Sequence, residues 1–447
     1  MDVDSNNRVR LVDFRDVAAT RAAVRSAVPR AAVGESSVAP AAADVVRAVR
    51  ERGSSAVLEF SARFDGVQQS VLRVPESALD EALRAMSVDL REAVEAIVER
   101  ARRFASAQQP APVLVQYEGG AQVALNWHPV DRAGVYVPGG KAVYPSSVVM
   151  NVVPAQVAGV GSIVLASPPQ SENDGLPHPT VLATAAMLGI REVYAIGGAQ
   201  AVASLAYGLT DDDPGLGLEP VDLITGPGND YVAAAKRLVR GDVAVDMEAG
   251  ATEVMILADA LADPALIVAD MVCQAEHDER AAAVLVTDSA ELEELVQVEL
   301  QRQVALTPHS ARVRAALGGR QSAVVLVDDM LHGVAFCNAY AAEHLEIHAV
   351  EADELAGQIR HAGAIFIGAT TPVTLGDYSA GSNHVLPTGG TATSASGLSV
   401  YSYLRGVQSV RYPQSSLGAV RDVVRVLSAA EDLPAHGAAL EARFGSL

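Results

Sequence analysis

Val221-Asp-Leu-Ile-Thr-Gly-Pro-Gly-Asn-Asp-Tyr-Val-Ala-Ala-Ala-Lys-Arg-Leu-Val-Arg240 reads as a strand, a glycine turn and a helix. The apolar run 221–225 is short and rich in branched residues. Gly226-Pro-Gly228 stops it, and 230–240 carries apolar residues at helical spacing. The same grammar occurs twice upstream, where 162–166 leads to 180–188 and 192–196 leads to 199–207. Short apolar runs alternating with helices predict parallel strands joined by right-handed crossovers. The pattern restarts after Gly250, with strands expected at 253–258, 282–287, 323–327 and 364–367. No short repeat underlies it. The chain reads as an α/β protein with two related open sheets, helices on both faces, and a cleft between them. Such sheets bind ligands beyond the carboxyl ends of their strands. Outside them, 8–30 suggests a short amphipathic helix ending near Pro29. Residues 41–107 read as helical with breaks at Gly53 and Asp65-Gly66, and 398–447 as a small helical unit.

Composition narrows the class. A chain of 447 residues exceeds one ordinary core. Hydrophobic residues make up 50% and aromatics only 4%, so the core must be Ala, Val and Leu layered around buried sheets. The net charge of −21 offers no basic stripe to nucleic acid. Cys273 and Cys337 are too few for a disulfide framework. The opening MDVDSNNRVR lacks the basic-then-apolar pattern of a signal peptide. The uncharged run 148–167 contains Asn151, Pro154, Gly159 and Gly161, which read as a helix, a glycine stop and a buried strand rather than a membrane span. The expectation is a cytoplasmic protein with no membrane and no nucleic-acid partner.

Several segments carry polar groups suited to chemistry. Thr225-Gly-Pro-Gly-Asn229 lies between strand and helix, where backbone N–H groups and a helix N-terminus favour an anion. Taken alone it is either a nucleotide site or an ordinary α/β turn. Ile196-Gly-Gly-Ala-Gln200 and Tyr136-Val-Pro-Gly-Gly140 are two more such turns, the latter with an aromatic ring at its start. Gln274 and His277 share a helix face at i, i+3, which is either a polar edge or half of a metal shell. Asp377 and His384 lie on a Gly- and Ser-rich loop, and Glu431 and His436 flank Pro434. Glu343-His344, expected at a helix end, pairs a carboxylate with an imidazole. That is either a solvated cap or two proton-transfer groups serving different steps.

The joint occurrence of these segments resembles the histidinol dehydrogenase family over nearly the whole chain. The residues carrying the likeness are Phe64-Asp-Gly66, Gly134-Val-Tyr-Val-Pro-Gly-Gly140, Gly197-Gly-Ala-Gln200, Gly226-Pro-Gly-Asn229 and Ala235-Lys-Arg237. They continue with Gln274-Ala-Glu-His277, Glu343-His-Leu-Glu346, Gly376-Asp-Tyr378 and Asn383-His-Val-Leu-Pro-Thr388. The resemblance implies zinc-dependent, four-electron oxidation of L-histidinol to L-histidine with two NAD. Glu343 and His344 match the catalytic residues. Zinc ligands fall on Gln274, His277, Asp377 and His436, and NAD contacts on Tyr136, Gln200 and Asn229. Substrate contacts fall on Thr252, His344, His384 and Glu431 alongside the metal ligands.

The implied architecture has an N-terminal helical arm (1–31) and a first Rossmann-like domain (32–132 with 252–397). A second, NAD-binding Rossmann-like domain follows at 133–251, with a C-terminal helical domain (398–447). The implied assembly is an intertwined homodimer in which Glu431 and His436 enter the partner's site. The chain departs from the family pattern at Thr252, where serine is usual, and at Glu248, Ala251 and Ala342, where proline is usual. A metal-dependent hydrolase using the same polar groups leaves the three glycine turns unexplained.

Overall fold

The computed structural model describes residues 8–31, 35–139, 143–211, 213, 215–247 and 250–445. Glu248 and Gly140 lie outside these. Two parallel sheets carry the described fold. The first has five strands, in the order Val193–Ala195, Ser162–Ser167, Arg132–Tyr136, Leu223–Thr225, Ala244–Val245. The second has six, ordered Leu11–Asp13, Ala323–Leu326, Ala282–Thr287, Glu253–Ala258, His344–His348, Ala364–Ile367. Every neighbouring pair in both is parallel. The order reverses direction beside Arg132–Tyr136 in one sheet and beside Glu253–Ala258 in the other. These are the switch points at which doubly wound sheets open a crevice.

Burial follows composition. The central strands of the six-stranded sheet are buried on both faces, with Val254, Ile256 and Ala258 in one core and Met255 and Leu257 in another. The five-stranded sheet is covered by two layers of helices. Glu35–Arg52 and Ser54–Phe60 pack with Gly198–Tyr207 and Asp230–Val239 on one face. Glu76–Ala85 and Val88–Ala107 pack with Pro145–Ala158 and Pro179–Met187 on the other. The reading from sequence grouped 32–132 with 252–397, whereas the helices of 35–107 bury their apolar faces against the five-stranded sheet.

Two local expectations need correction. Leu11–Asp13 is an edge strand and only Arg21–Ala27 of this stretch is helical, because 11–13 pairs with Val324–Leu326, a partner far off in sequence that local periodicity does not show. Leu404–Arg411, expected within a helical unit, pairs antiparallel with Gln122–Pro129, which pairs in turn with Val113–Gln116. Only beyond it do the helices Gly418–Ala430 and Pro434–Glu441 form. The uncharged run 148–167 does divide as expected: the helix Pro145–Ala158 ends at Gly159, φ +90°, before the strand Ser162–Ser167. No described helix is long and apolar enough to cross a membrane.

The turn after Leu223–Thr225 is held from beneath. Gly226 has φ +111°, and a Cβ there would lie 2.0 Å from the Tyr136 carbonyl oxygen, so only glycine fits. Asp246 accepts the Gly226 N–H at 2.8 Å and pairs with Lys236 Nζ at 2.6 Å. Lys236 also donates to the Gly226 carbonyl. Both side chains of the pair are almost wholly buried, so removing one leaves the other charge stranded in the interior. Lys236→Met should lower unfolding stability in urea by about 3–5 kcal/mol, and Asp246→Asn in the same chain should recover most of it. A loss below ~1 kcal/mol for Lys236→Met would show that the pair does not brace the turn.

Candidate active site

The crossover helices of the six-stranded sheet run back against the strands, so their C-terminal ends reach the amino edge. Gln274 lies in the last turn of Pro264–Ala275, and His277 lies in the turn just beyond. Met330–Tyr340 ends where Ala341 adopts φ +57°, and the chain swings out of the helix through Glu343 into the strand His344–His348. Glu343 and His344 therefore stand at the start of a strand, not at the helix end expected from sequence. Thr252 immediately precedes Glu253–Ala258, the neighbouring strand. Glu343 and His344 thus occupy the amino edge of this sheet, opposite to the carboxyl-end expectation.

The backbone of one residue holds the pair. The Glu253 N–H donates to Glu343 Oε2 at 2.8 Å, and the Glu253 carbonyl lies 3.1 Å from His344 Nδ1. A carbonyl only accepts, so His344 carries its proton on Nδ1 in the neutral ring and presents a lone pair at Nε2. Glu343 Oε2 also accepts from Thr252 Oγ1 at 2.6 Å, and Thr252 Oγ1 accepts from Gln274 Nε2 at 2.7 Å. Because the Thr252 proton is committed to the carboxylate, the Gln274 amide must point its nitrogen at Thr252. Its oxygen is left for another partner. Burial, opposed by His344, Thr252, Glu253 and His277, pushes the Glu343 carboxyl above its usual range.

Glu253 is itself buried against Arg30, with Nη1–Oε1 at 3.0 Å. Burial lifts its carboxyl to about 7, with Arg30 pulling the other way. Arg30 also stacks over the Tyr340 ring at 4.2 Å and donates to the Tyr340 carbonyl, tying the N-terminal arm beneath the site. From the loop, His384 Nδ1 donates to the Asp377 carbonyl at 3.1 Å, and its Nε2 lies 3.2 Å from Ser147 Oγ. Burial holds this imidazole below its ordinary value, and Asp377, His344 and His277 all act on it electrostatically. The structure therefore brings together Thr252, Gln274, His277, Glu343, His344, Asp377 and His384.

The other sheet supplies a cavity. About 460 Å³ is lined by Tyr136, Gln200, Asn229, Asp65, Gly198 and Pro168, among others, at the carboxyl ends and switch point of the five-stranded sheet. Asn229 caps the helix Asp230–Val239 through its side chain, which accepts the N–H groups of Tyr231 and Val232. Tyr136 is buried and its hydroxyl accepts the Gly198 N–H at 3.2 Å, so it shapes the wall more than it offers a free ring. Asp65 has an unpartnered buried oxygen, and burial raises its carboxyl to about 6. Next to Asn229, Asp230 pairs with Arg280 at 2.5 Å, joining this turn to the segment that carries His277.

Glu431 and His436 do not join the cluster within the chain. Both are exposed on the C-terminal helices, which pack on each other and on the flanking turn Gln414–Ser416. The remaining donors still suit a zinc ion in kind: an amide oxygen freed by the Thr252 bond, an imidazole and a carboxylate. They make an incomplete shell without a fourth ligand. Sequence reasoning passed over Ser147, Arg30 and Glu253, whose long-range contacts leave no local signature. It also passed over the grouping of Asp270 with Glu346 and His348. That cluster had a readable signal, a polar residue at every second position of His344-Leu-Glu-Ile-His348 in a central strand.

Comparison with known proteins identifies the family. A family model described as histidinol dehydrogenase matches residues 28–444. The histidinol dehydrogenase of Mycobacterium tuberculosis is 55% identical over 433 residues, covering 97% of each chain. That of Mycolicibacterium smegmatis is 54% identical over 444 residues, covering 99% of this chain and 100% of the relative. Among solved structures, histidinol dehydrogenase from Elizabethkingia anophelis superimposes with a TM-score of 0.91 at 27% identity, covering 99% of both chains. With matching motifs and near-complete coverage, this chain belongs to the histidinol dehydrogenase family.

Proposed function

We propose that the chain oxidises L-histidinol through the aldehyde to L-histidine, in two successive NAD-linked steps at the Glu343–His344 site. The observation that carries this reading is the backbone of Glu253. It holds two proton-transfer groups side by side and engages them differently, the imidazole as a donor at Nδ1 and the carboxylate as an acceptor at Oε2. The 460 Å³ cavity on the facing sheet is of a size suited to a ligand such as a dinucleotide, which a hydrolase would not need. When bound, zinc would orient the substrate's imidazole and amine, and NAD would accept the hydride in each oxidation. Gln274 through its oxygen, His277 and Asp377 would hold the metal, with His436 of the partner subunit as fourth ligand. Tyr136, Gln200 and Asn229 would bound the cofactor.

His344 Nε2 takes the alcohol proton, because its Nδ1 proton is committed to the Glu253 carbonyl. Glu343 then takes a proton from the water that attacks the aldehyde. A carboxyl raised by burial is better matched to that task at neutral pH than an exposed one. Thr252 and His384 flank the substrate, and the partner's Glu431 closes the site. Exposed Val113, Leu114 and Val410 on the three-stranded sheet, with Val423 and Val426 on the C-terminal helices, support a homodimer by offering apolar surface for a second copy. The acidic chain, with no described membrane-spanning helix, fits a cytoplasmic biosynthetic enzyme.

Glu343→Gln should keep NADH formation from histidinol to aldehyde while slowing aldehyde oxidation by roughly 100-fold or more, measured on each half-reaction separately. Equal losses in both would remove the division of labour. Thr252→Val removes the donor to Glu343 and the acceptor for Gln274. It should lower kcat/KM by about 10- to 100-fold, the cost of roughly 1–3 kcal/mol for unmet polar groups. Thr252→Ser should stay near the parent value. A valine variant within twofold of the parent would rule out the relay.

A further inference from the structure

Deeper between the strand His344–His348 and the helix Pro264–Ala275 lies a second group of ligand-type side chains, Asp270, Glu346 and His348. Their donor atoms lie within 4.8 Å of one another. Glu346 and His348 follow His344 on the same face of the strand, while Leu345 and Ile347 face the opposite core. Asp270 sits one helical turn before Gln274. None of the three is a hydrogen-bond partner of Glu343 or His344.

The group is electrostatically incomplete. Glu346 is fully buried and His348 is 2% exposed. Glu346 Oε1 accepts the Val373 N–H at 2.8 Å, but Oε2 has no partner, and neither ring nitrogen of His348 has one. Among the described residues the ion pairs of Asp270 and Glu346 are with His348 alone, and no lysine or arginine joins them. Burial, with the Glu346 carboxyl beside it, pushes the Asp270 carboxyl above its usual range, while His348 opposes the rise.

A proton held between the Asp270 and Glu346 side chains, which hydrogen-bond to each other, answers one carboxylate charge but gives His348 no partner. His348 Nε2 stands 3.5 Å from Glu346 Oε2 and 4.0 Å from Asp270 Oδ2. Those gaps are too long for a hydrogen bond. They suit donors that share one ion: bonds of 2.0–2.2 Å at a tetrahedral angle put ligand atoms about 3.4 Å apart, and wider angles more. One imidazole with two carboxylates suits a divalent transition ion such as zinc or manganese.

We propose that Asp270, Glu346 and His348 form a second, structural divalent-metal site, buried behind the catalytic strand and separate from the substrate's metal. An ion there would cancel the two carboxylate charges and pin the helix that carries Gln274 to the strand that carries His344. It would hold the spacing between the two halves of the active site.

Metal counting on the full-length protein tests this. The chain and its variants are equilibrated with Zn²⁺, gel-filtered, and measured for zinc per chain by mass spectrometry. Asp270→Asn and His348→Leu should each hold one zinc fewer than the parent. His277→Asn should lower the count by one independently, which separates a failure of this site from a failure of the substrate's metal site. An unchanged count in both Asp270→Asn and His348→Leu overturns the proposal. Should those variants not fold, zinc-edge anomalous scattering from crystals of the parent protein decides: a peak between Glu346 Oε2 and His348 Nε2 supports the site, and none there refutes it.

Discussion

The Glu253 backbone is the constraint on which the rest of the site depends. Its N–H and its carbonyl are spoken for by Glu343 and His344, residues about ninety positions away in the chain. This backbone can hold both because Glu253–Ala258 and His344–His348 are adjacent parallel strands in register, His344 opposite Val254. Any shift of that register would separate the carboxylate from the imidazole. The buried Glu253–Arg30 pair and the packing of Arg30 on Tyr340 oppose such a shift from below. The side chain of Glu253 therefore serves the site without facing it.

The two sheets contribute opposite edges. In the five-stranded sheet, glycine turns at the carboxyl ends open a cavity at the switch point, where helix N-termini and small residues leave room for a ligand. In the six-stranded sheet, crossover helices deliver Gln274, His277 and Glu343 to the amino edge. A site spanning two such edges can place a large cofactor on one side and proton-transfer groups on the other. Neither sheet has to do both. The Asp230–Arg280 pair and the approach of Ser147 to His384 fix the two sides relative to one another.

Much of the fold was legible because it is local. The strands Glu253–Ala258, Ala282–Thr287 and Ala364–Ile367 follow from short apolar runs bounded by polar residues and turns, and the structure has them at the expected positions. His344–His348 was hidden because polar residues occupy alternate positions of a buried strand, which reads as a helix end when pairing partners are unknown. Leu404–Arg411 was hidden because it pairs with Gln122–Pro129, far away in sequence. Gln274, His277, Asp377 and His384 were found as residue types, but their convergence rests on tertiary contacts. Thr252 entered as a substrate contact implied by the resemblance and as a departure from the usual serine. Its function as both donor and acceptor follows from atoms that no spacing reveals.

On the proposed reading, one active site performs both oxidations without releasing the aldehyde. The most direct measurement is the ratio of NADH formed to histidinol consumed, with hydroxylamine present to capture any free aldehyde. Two NADH per histidinol and no captured oxime are expected. One NADH per histidinol with accumulating oxime would contradict the account.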